Sequence, residues 1–436
     1  MSHYKPYTEY KDSGIEWIGL MPEHWELKPL KIVASHNDDS LPDSTEPEET
    51  ISYVDISSAS YNEGISKVEE MSFGNAPSRA RRKANSGDVI VSTVRTYLKA
   101  VASVGDEFAH CIFSTGFAVL RSRPGKLEPK FLKWLVLNDL FIQAVEAHSE
   151  GLSYPAINPP TLVGLKTVIP SQEEQKKIAS VLESETTRID TLITKKTRLI
   201  ELLKEKRQAL ITHAVTKGLN PNVKMNDSGV EWIGEVPEHW EVISGNRLFS
   251  ESKQLAFEDD QHLSATQKYG VIPLEEFQEL EGRRVTQAVK NLEKRKHARI
   301  NDFVISMRSF QGGIERVKAN GCVRSSYVVL KPTPASHVGY FSYLFKSITY
   351  IQGLQATSMF IRDGQDLSYN NFRQVKVPCP SVSEQAQIAD YLDKTIKSID
   401  MLVTKTQRSI DLLKERRSAF ITAAVTGQID LRGEQE

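Results

Sequence analysis

Lysine and arginine gather in two stretches of this 436-residue chain, although its formal net charge is only -1. In the first stretch, Arg79, Arg81, Arg82, Lys83, Arg95 and Lys99 are opposed only by Asp88. In the second, Arg283, Arg284, Lys290, Lys294, Arg295, Lys296 and Arg299 are opposed only by Glu293, with Arg308 and Arg324 following. Such density suits a phosphate backbone, and the arginine fork can also take O6 and N7 of a guanine together, which discriminates between bases. With net charge near zero, binding of this kind rests on local patches offset by acid elsewhere. The run Asp38, Asp39, Asp43, Glu46, Glu48 and Glu49 supplies part of the offset. A solvated basic face without a ligand competes for either cluster alone, but recurrence in both halves weighs against it. A nucleic acid is the kind of partner such clusters fit.

Other candidates for chemistry are weaker. Asn158-Pro-Pro-Thr161 matches three positions of the Asn/Asp-Pro-Pro-aromatic signature of amino-methyltransferases. Thr161 has no ring to stack on a flipped adenine. The matching stretch of the second half, Tyr369-Asn-Asn-Phe-Arg373, lacks the prolines, and no glycine-rich strand-to-helix turn offers a nucleotide-like cofactor a seat. The stretch reads as a rigid approach to a helix at Pro170. His24 and His239 recur inside Pro-Glu-His-Trp, which points to packing or hydrogen bonding rather than catalysis. Cys111, Cys322 and Cys379 are odd in number and far apart, against a disulfide framework or a zinc site. No catalytic residue, metal or cofactor is therefore expected on this chain. Hydrophobic residues at 39% and charged residues at 25% match an ordinary globular protein. No apolar run approaches the ~20 residues of a membrane span, and Met1 to Asp12 lacks the order of a signal peptide. A cytoplasmic protein without a membrane partner is expected.

The elements that must position these residues are written twice. Asp12 to Glu26 returns as Asp227 to Glu241 with twelve of fifteen positions identical, and Pro170 to Thr216 returns more loosely as Pro380 to Thr426. The latter pair read as long helices. Each opens with proline and a capping box, Ser171 with Glu174 and Ser381 with Glu384, and each closes at glycine, Gly218 or Gly427. The first carries a heptad-like seam at Ile178, Leu182, Ile189, Leu192, Leu199, Leu203 and Leu210; the second carries Ile388, Leu392, Ile399, Leu402, Leu413 and Phe420. Two such helices can pair with each other, and some 46 residues would extend about 69 Å, a spacer rather than a cap on one globule. Between them lie mixed segments, roughly Ile51 to Val168 and Thr266 to Val377, with short β-branched runs such as Val89-Ile-Val-Ser and Tyr327-Val-Val-Leu. Their faint similarity suits one scaffold carrying two different surfaces.

The paired Gly-x-Glu-Trp-Ile-Gly-x-x-Pro-x-His-Trp stretches (Gly14 to Trp25, Gly229 to Trp240) and the paired Pro-Ser-x-x-Glu-Gln-x-x-Ile-Ala openings (Pro170 to Ala179, Pro380 to Ala389) give the chain, over nearly its whole length, a resemblance to the specificity subunits of Type I restriction-modification enzymes. The resemblance implies an α+β fold: two globular DNA target-recognition domains related by internal duplication, separated by two long helices paired as an antiparallel coiled coil. The expected boundaries are 1–169 and 218–379 for the two domains, 170–217 and 380–427 for the spacer helices, and 428–436 for a tail. It also implies a non-catalytic subunit reading a bipartite, asymmetric DNA site, on which two methyltransferase subunits dock and which restriction/translocase subunits join. S-adenosylmethionine, ATP and magnesium would sit on those partners. An adenine-N6 methyltransferase, or a coiled-coil adaptor without DNA contact, are the alternatives.

Overall fold

The computed structural model describes residues 4–61, 63–284, 292–306, 309–357 and 368–433. The chain divides into two compact units, Met1–Lys196 with Arg408–Glu436, and Thr197–Gln407. In the first unit, strand Val89–Ser92 pairs antiparallel with Val101–Ser103 and with Phe117–Ser122, and Ala34–His36 completes the sheet. Successive strand side chains point to opposite faces, and both faces are covered. Val89, Val91, Ala118 and Leu120 join a core with Phe131, Trp134 and Phe141, from helices Pro129–Val136 and Asp139–Ala147. Ile90, Ala102 and Val119 turn to a second core with Val54 and Phe113. Double coverage explains why the run is apolar throughout rather than alternating. Val54 and Phe113 belong to a second sheet, ordered Glu69–Ser72, Thr50–Val54, Ile112–Ser114, Ala80–Lys83, whose middle pair is parallel.

The second unit repeats this scheme with other residues. Phe303–Ile305 pairs with Val328–Pro332; Phe303, Ile305 and Leu330 face Phe341 and Phe345, while Val304 and Val329 face Leu263, Val271 and Val323. Val89 lies opposite Leu120 as Phe303 lies opposite Leu330, so the two strands are equivalent, and Ser306, just past the end of the second, corresponds to Ser92.

The repeated motif forms the same hairpin twice. Tyr10–Asp12 pairs with Leu20–Pro22 and Met225–Asp227 with Glu235–Pro237, with Gly14 and Gly229 both at φ +65°, where a side chain would be strained. The following strands, Glu26–Pro29 and Glu241–Ser244, pair with Lys166–Ile169 and Lys376–Cys379, which lead into the long helices. Just inside each pair the Leu30 N–H donates to the Leu165 carbonyl at 2.9 Å, and the Gly245 N–H to the Val375 carbonyl at 3.2 Å. The mixed modules thus begin at Leu30 and Gly245, earlier than Ile51 and Thr266, because Ala34–His36 and Phe249–Ser252 are strands of their sheets.

The long helices span Gln172–Lys217 and Val382–Val425. At the first start, the Ser171 hydroxyl accepts the Glu174 N–H at 3.3 Å and Glu174 Oε2 accepts the Ser171 N–H at 3.4 Å. Glu174 Oε1 lies 2.9 Å from His24 Nε2 and accepts from the buried Trp25 ring. Burial opposes its ionisation, but the bonds from His24, Ser171 and Trp25 hold the carboxyl below its usual range. His239 Nε2 meets Glu384 Oε2 at 3.0 Å in the second unit. The repeated Pro-Glu-His-Trp therefore ties each hairpin to a helix start. Both helices end at a glycine with φ +76°, Gly218 and Gly427; a Cβ on Gly427 would fall 2.4 Å from Pro22. Arg417 Nε lies 3.0 Å from Asp190, and Arg207 Nε 3.1 Å from Asp400. The partner number falls as the residue number rises, so the helices pack antiparallel.

The seam between them differs from strict heptads. Ile178, Leu182, Ile189, Ile388, Leu392, Ile399 and Phe420 are buried, and Leu203, Leu210 and Leu413 half-buried. Leu192, Leu199 and Leu402 are 41%, 45% and 52% exposed, while Ile200, Ile396 and Ile410 are buried and Ile193 and Val403 half-buried. Neighbouring apolar side chains on a helix diverge by about 100°, so only one of Leu192 and Ile193 can face the partner, and a seven-residue repeat drifts ~20° per heptad along a straight helix. Among the described residues, no helix is long and apolar enough to cross a membrane.

Candidate nucleic-acid interface

In the first unit the basic residues radiate from strand Ala80–Lys83 and from the turn after Val89–Ser92. Exposed Arg79 is held by Tyr53, with Nε 3.2 Å from its hydroxyl, and by Asp55, with Nη2 2.8 Å from Oδ2. The guanidinium of Arg81 lies 4.5 Å over the Phe73 ring, with Nε 3.7 Å from Asp43. Arg82 is half-buried, and its Nε has no hydrogen-bond partner among the described residues. Lys83 is exposed. The acid that opposes this cluster is not Asp88, whose carboxylate is taken by Arg121 at 2.8 Å. Asp55 and Asp43 oppose it instead, brought from distant sequence by the sheet. Arg95, exposed, and Lys99, half-buried, flank the turn at φ +51° and +50°.

The second unit gathers its cations differently. An open cleft of about 840 Å³ is lined by Thr266, Gln267, Lys268, Tyr269, Phe277, Ser306, Tyr327 and three of the expected arginines, Arg283, Arg284 and Arg324, all exposed. Its wall is a hairpin, Leu263–Thr266 with Gly270–Pro273, whose turn places Lys268 3.8 Å from Glu281. Tyr269 Oη donates to Glu281 at 3.1 Å. Lys268, Tyr269 and Tyr327 escaped the composition argument because none lies in a charge run. A lysine-tyrosine-glycine hairpin turn was the available signal.

The remaining expected cations divide. Lys294 is exposed outside this cleft. Arg295 is only 9% exposed, and its charge, after burial, holds the imidazole of neighbouring His262 below its ordinary pKa. Lys296 donates to the Tyr327 carbonyl at 2.6 Å. Lys296, half-buried, opens a strand paired with Gly321–Val323, which draws the preceding arginine inward. Lys290 and Arg308 lie outside the described residues. Asn158, finally, precedes helix Pro159–Gly164, whose Leu162 and Val163 are buried. The second unit builds the same helix, Tyr369–Gln374, from a Ser368 and Asn371 capping box. Both stretches are therefore helical rather than open loops.

One ion pair with a buried carboxylate supports the cleft. Lys346 Nζ donates to the Gln267 carbonyl at 3.2 Å and pairs with Glu315, whose carboxyl burial pushes up to about 7 against the pull of Lys346. A carboxyl with a raised folded-state pKa stabilises the fold fully below its unfolded value and loses that contribution as pH rises toward 7. The expected result is a stability that falls by about 3 kcal/mol between pH 4.5 and 8, because each pH unit separating the unfolded and folded pKa is equivalent to ~1.4 kcal/mol. Glu315→Gln should flatten that slope in denaturant titrations across the range; an unchanged slope would sink the assignment.

Two exposed surfaces at the ends of equivalent strands, each with arginine, lysine and aromatic side chains, can grip phosphates and present planar cations and rings to bases. Known proteins agree in fold. A solved chain from work on the complex assembly and conformational transition of the type I R-M system superposes with a TM-score of 0.72 at 22% identity, over 95% of this chain and 99% of that one. The HsdS subunit from Thermoanaerobacter tengcongensis gives 0.56 at 23% identity, over 94% and 98%. In sequence, a Methanocaldococcus jannaschii protein assigned as the type I restriction enzyme MjaX specificity subunit is 24% identical over 95% of this chain and 96% of its own length. The EcoBI specificity subunit of Escherichia coli is 20% identical over 76% and 73%. The family model for the Type I restriction modification DNA specificity domain matches residues 22–202 and again 237–410. Matched twice and over most of its length, the chain belongs to the Type I restriction-modification DNA specificity family.

Proposed function

We propose that this chain selects the DNA sequence on which a Type I restriction-modification assembly acts, each unit reading one short block of duplex. The carrying observation is the placing of cations and aromatic rings at the ends of the equivalent strands Val89–Ser92 and Phe303–Ile305 in two modules that differ in sequence. Two unlike modules imply an asymmetric, split site. The chain itself would be non-catalytic. Two methyltransferase subunits, joined by restriction/translocase subunits for cleavage, would bind S-adenosylmethionine, ATP and magnesium. The adenine methyltransferase reading is disfavoured because Thr161 sits on a helix where the signature needs an aromatic ring. An adaptor without DNA contact leaves two arginine-bearing surfaces without purpose.

Methylome sequencing of a host with and without the gene tests this. The expected result is one split motif that is methylated only when the gene is present. An unchanged methylome, or methylation by the purified chain alone, overturns the reading.

A further inference from the structure

In the first unit two loops are clamped side by side and expose apolar groups together. The Ile157 N–H donates to the Thr93 carbonyl at 2.9 Å, Thr96 Oγ1 to Ser149 Oγ at 2.8 Å, and Glu150 and Ala156 exchange both backbone bonds at 2.8 and 2.9 Å. Thr96 is buried beneath them. On this rigid base Tyr97 and Leu98 are half exposed, Tyr154 is 65% exposed, and Leu152 is wholly exposed. Apolar groups gathered in solvent mark an interaction site. The guanidinium of Arg95 lies 5.0 Å over the Tyr154 ring, and Arg95 and Lys99 both hold left-handed backbone, which non-glycine residues adopt only where the surroundings impose it.

We infer that this loop pair is a wedge for double-stranded DNA: Leu152 enters between two base pairs, Tyr154 stacks beside it, and Arg95 and Lys99 hold the flanking phosphates. The inference rests on the DNA-selecting role proposed above. Charge favours DNA, for the patch is continuous with Arg79. The Arg79 carbonyl accepts the Thr115 N–H at 2.7 Å and the Gly116 carbonyl accepts the Thr93 N–H at 2.8 Å, which joins the basic strand to the turn. Size favours it too. Four side chains fall short of the roughly 800 Å² per partner of a stable protein interface, whereas one or two apolar side chains suffice to unstack a base step and kink the duplex by roughly 20–90°.

The test uses the full-length chain without partner subunits, so that no methyltransferase extrudes a base. The probe is the duplex identified by methylome sequencing, with 2-aminopurine placed in turn at each step of the half-site read by the first unit and a dye pair at its ends. The wild type should raise 2-aminopurine emission at one step and shorten the end-to-end distance. Leu152→Ala should still bind, yet emit within about twofold of free duplex and leave the DNA straight, whereas Leu152→Phe should retain both signals. If Leu152→Ala and Tyr154→Ala both bind with undiminished emission and bend, the wedge is refuted. If those variants keep the DNA signals but no longer co-elute with the methyltransferase subunit, the patch docks protein and the wedge is likewise refuted. A wild-type chain that binds no duplex would instead overturn the underlying reading.

Discussion

Replacing Lys268, Arg283, Arg284 and Arg324 together by alanine is expected to weaken DNA binding by about a thousandfold at 0.1 M salt. These four cations share one cleft in the second unit. Each phosphate left without its cation takes ~0.9 from the slope of log affinity against log salt, so four of them flatten it by up to roughly 3.6. Fluorescence anisotropy on a specific duplex across a salt series measures both quantities. The fold should survive, because all four side chains are solvent-exposed. Arg295→Ala is the contrasting variant. Its side chain is buried in the same unit, so it should lower the melting temperature while leaving the salt slope alone. A quadruple variant with unchanged slope and affinity would show that the cleft is a solvated face.

Exchanging Leu30–Leu165 for the corresponding module of a relative is expected to change one block of the methylated sequence completely and leave the other untouched. The two ends of this module meet at a single backbone hydrogen bond, 2.9 Å between Leu30 and Leu165, so the exchange severs no strand. The hairpin, the strands Glu26–Pro29 and Lys166–Ile169 and the helix start at Ser171 stay in place. The second unit keeps its own cores, built around Phe303 and Phe341 and around Val304 and Val329. Sequencing the methylated sites of the exchanged protein decides the matter. Two altered blocks, or none, would refute independent reading by the units. The acceptor must also pack the new module against Trp25 and Ile178, so some loss of thermal stability is expected.

The duplication was plain in the order of residues, and with it the twofold architecture, both helix starts and both helix ends. These features depend on local rules. A serine three residues before a glutamate can satisfy orphan amides wherever it stands, and Gly218 and Gly427 were placed correctly because only glycine takes φ +76° without strain. Cationic density was legible for the same reason, since Arg79, Arg81, Arg82 and Lys83 are neighbours in the chain. Its consequences were not. Which acid opposes which base depends on strand order: a sheet carries Asp55 to Arg79 and leaves Asp88 to Arg121. Burial likewise separates Arg295, drawn inward, from Arg283 and Arg324, which share a cleft with Lys268 from a distant hairpin. The helix seam shows the same division. Helical periodicity marked an apolar stripe, yet Leu192 and Ile193 are equivalent candidates until a partner helix arrives, because they differ only by rotation about the axis. What the sequence determined by itself is local hydrogen bonding, periodicity and the repeat. Tertiary structure alone decided which charges remain free and which face of each helix is covered, since both depend on groups brought together from far along the chain.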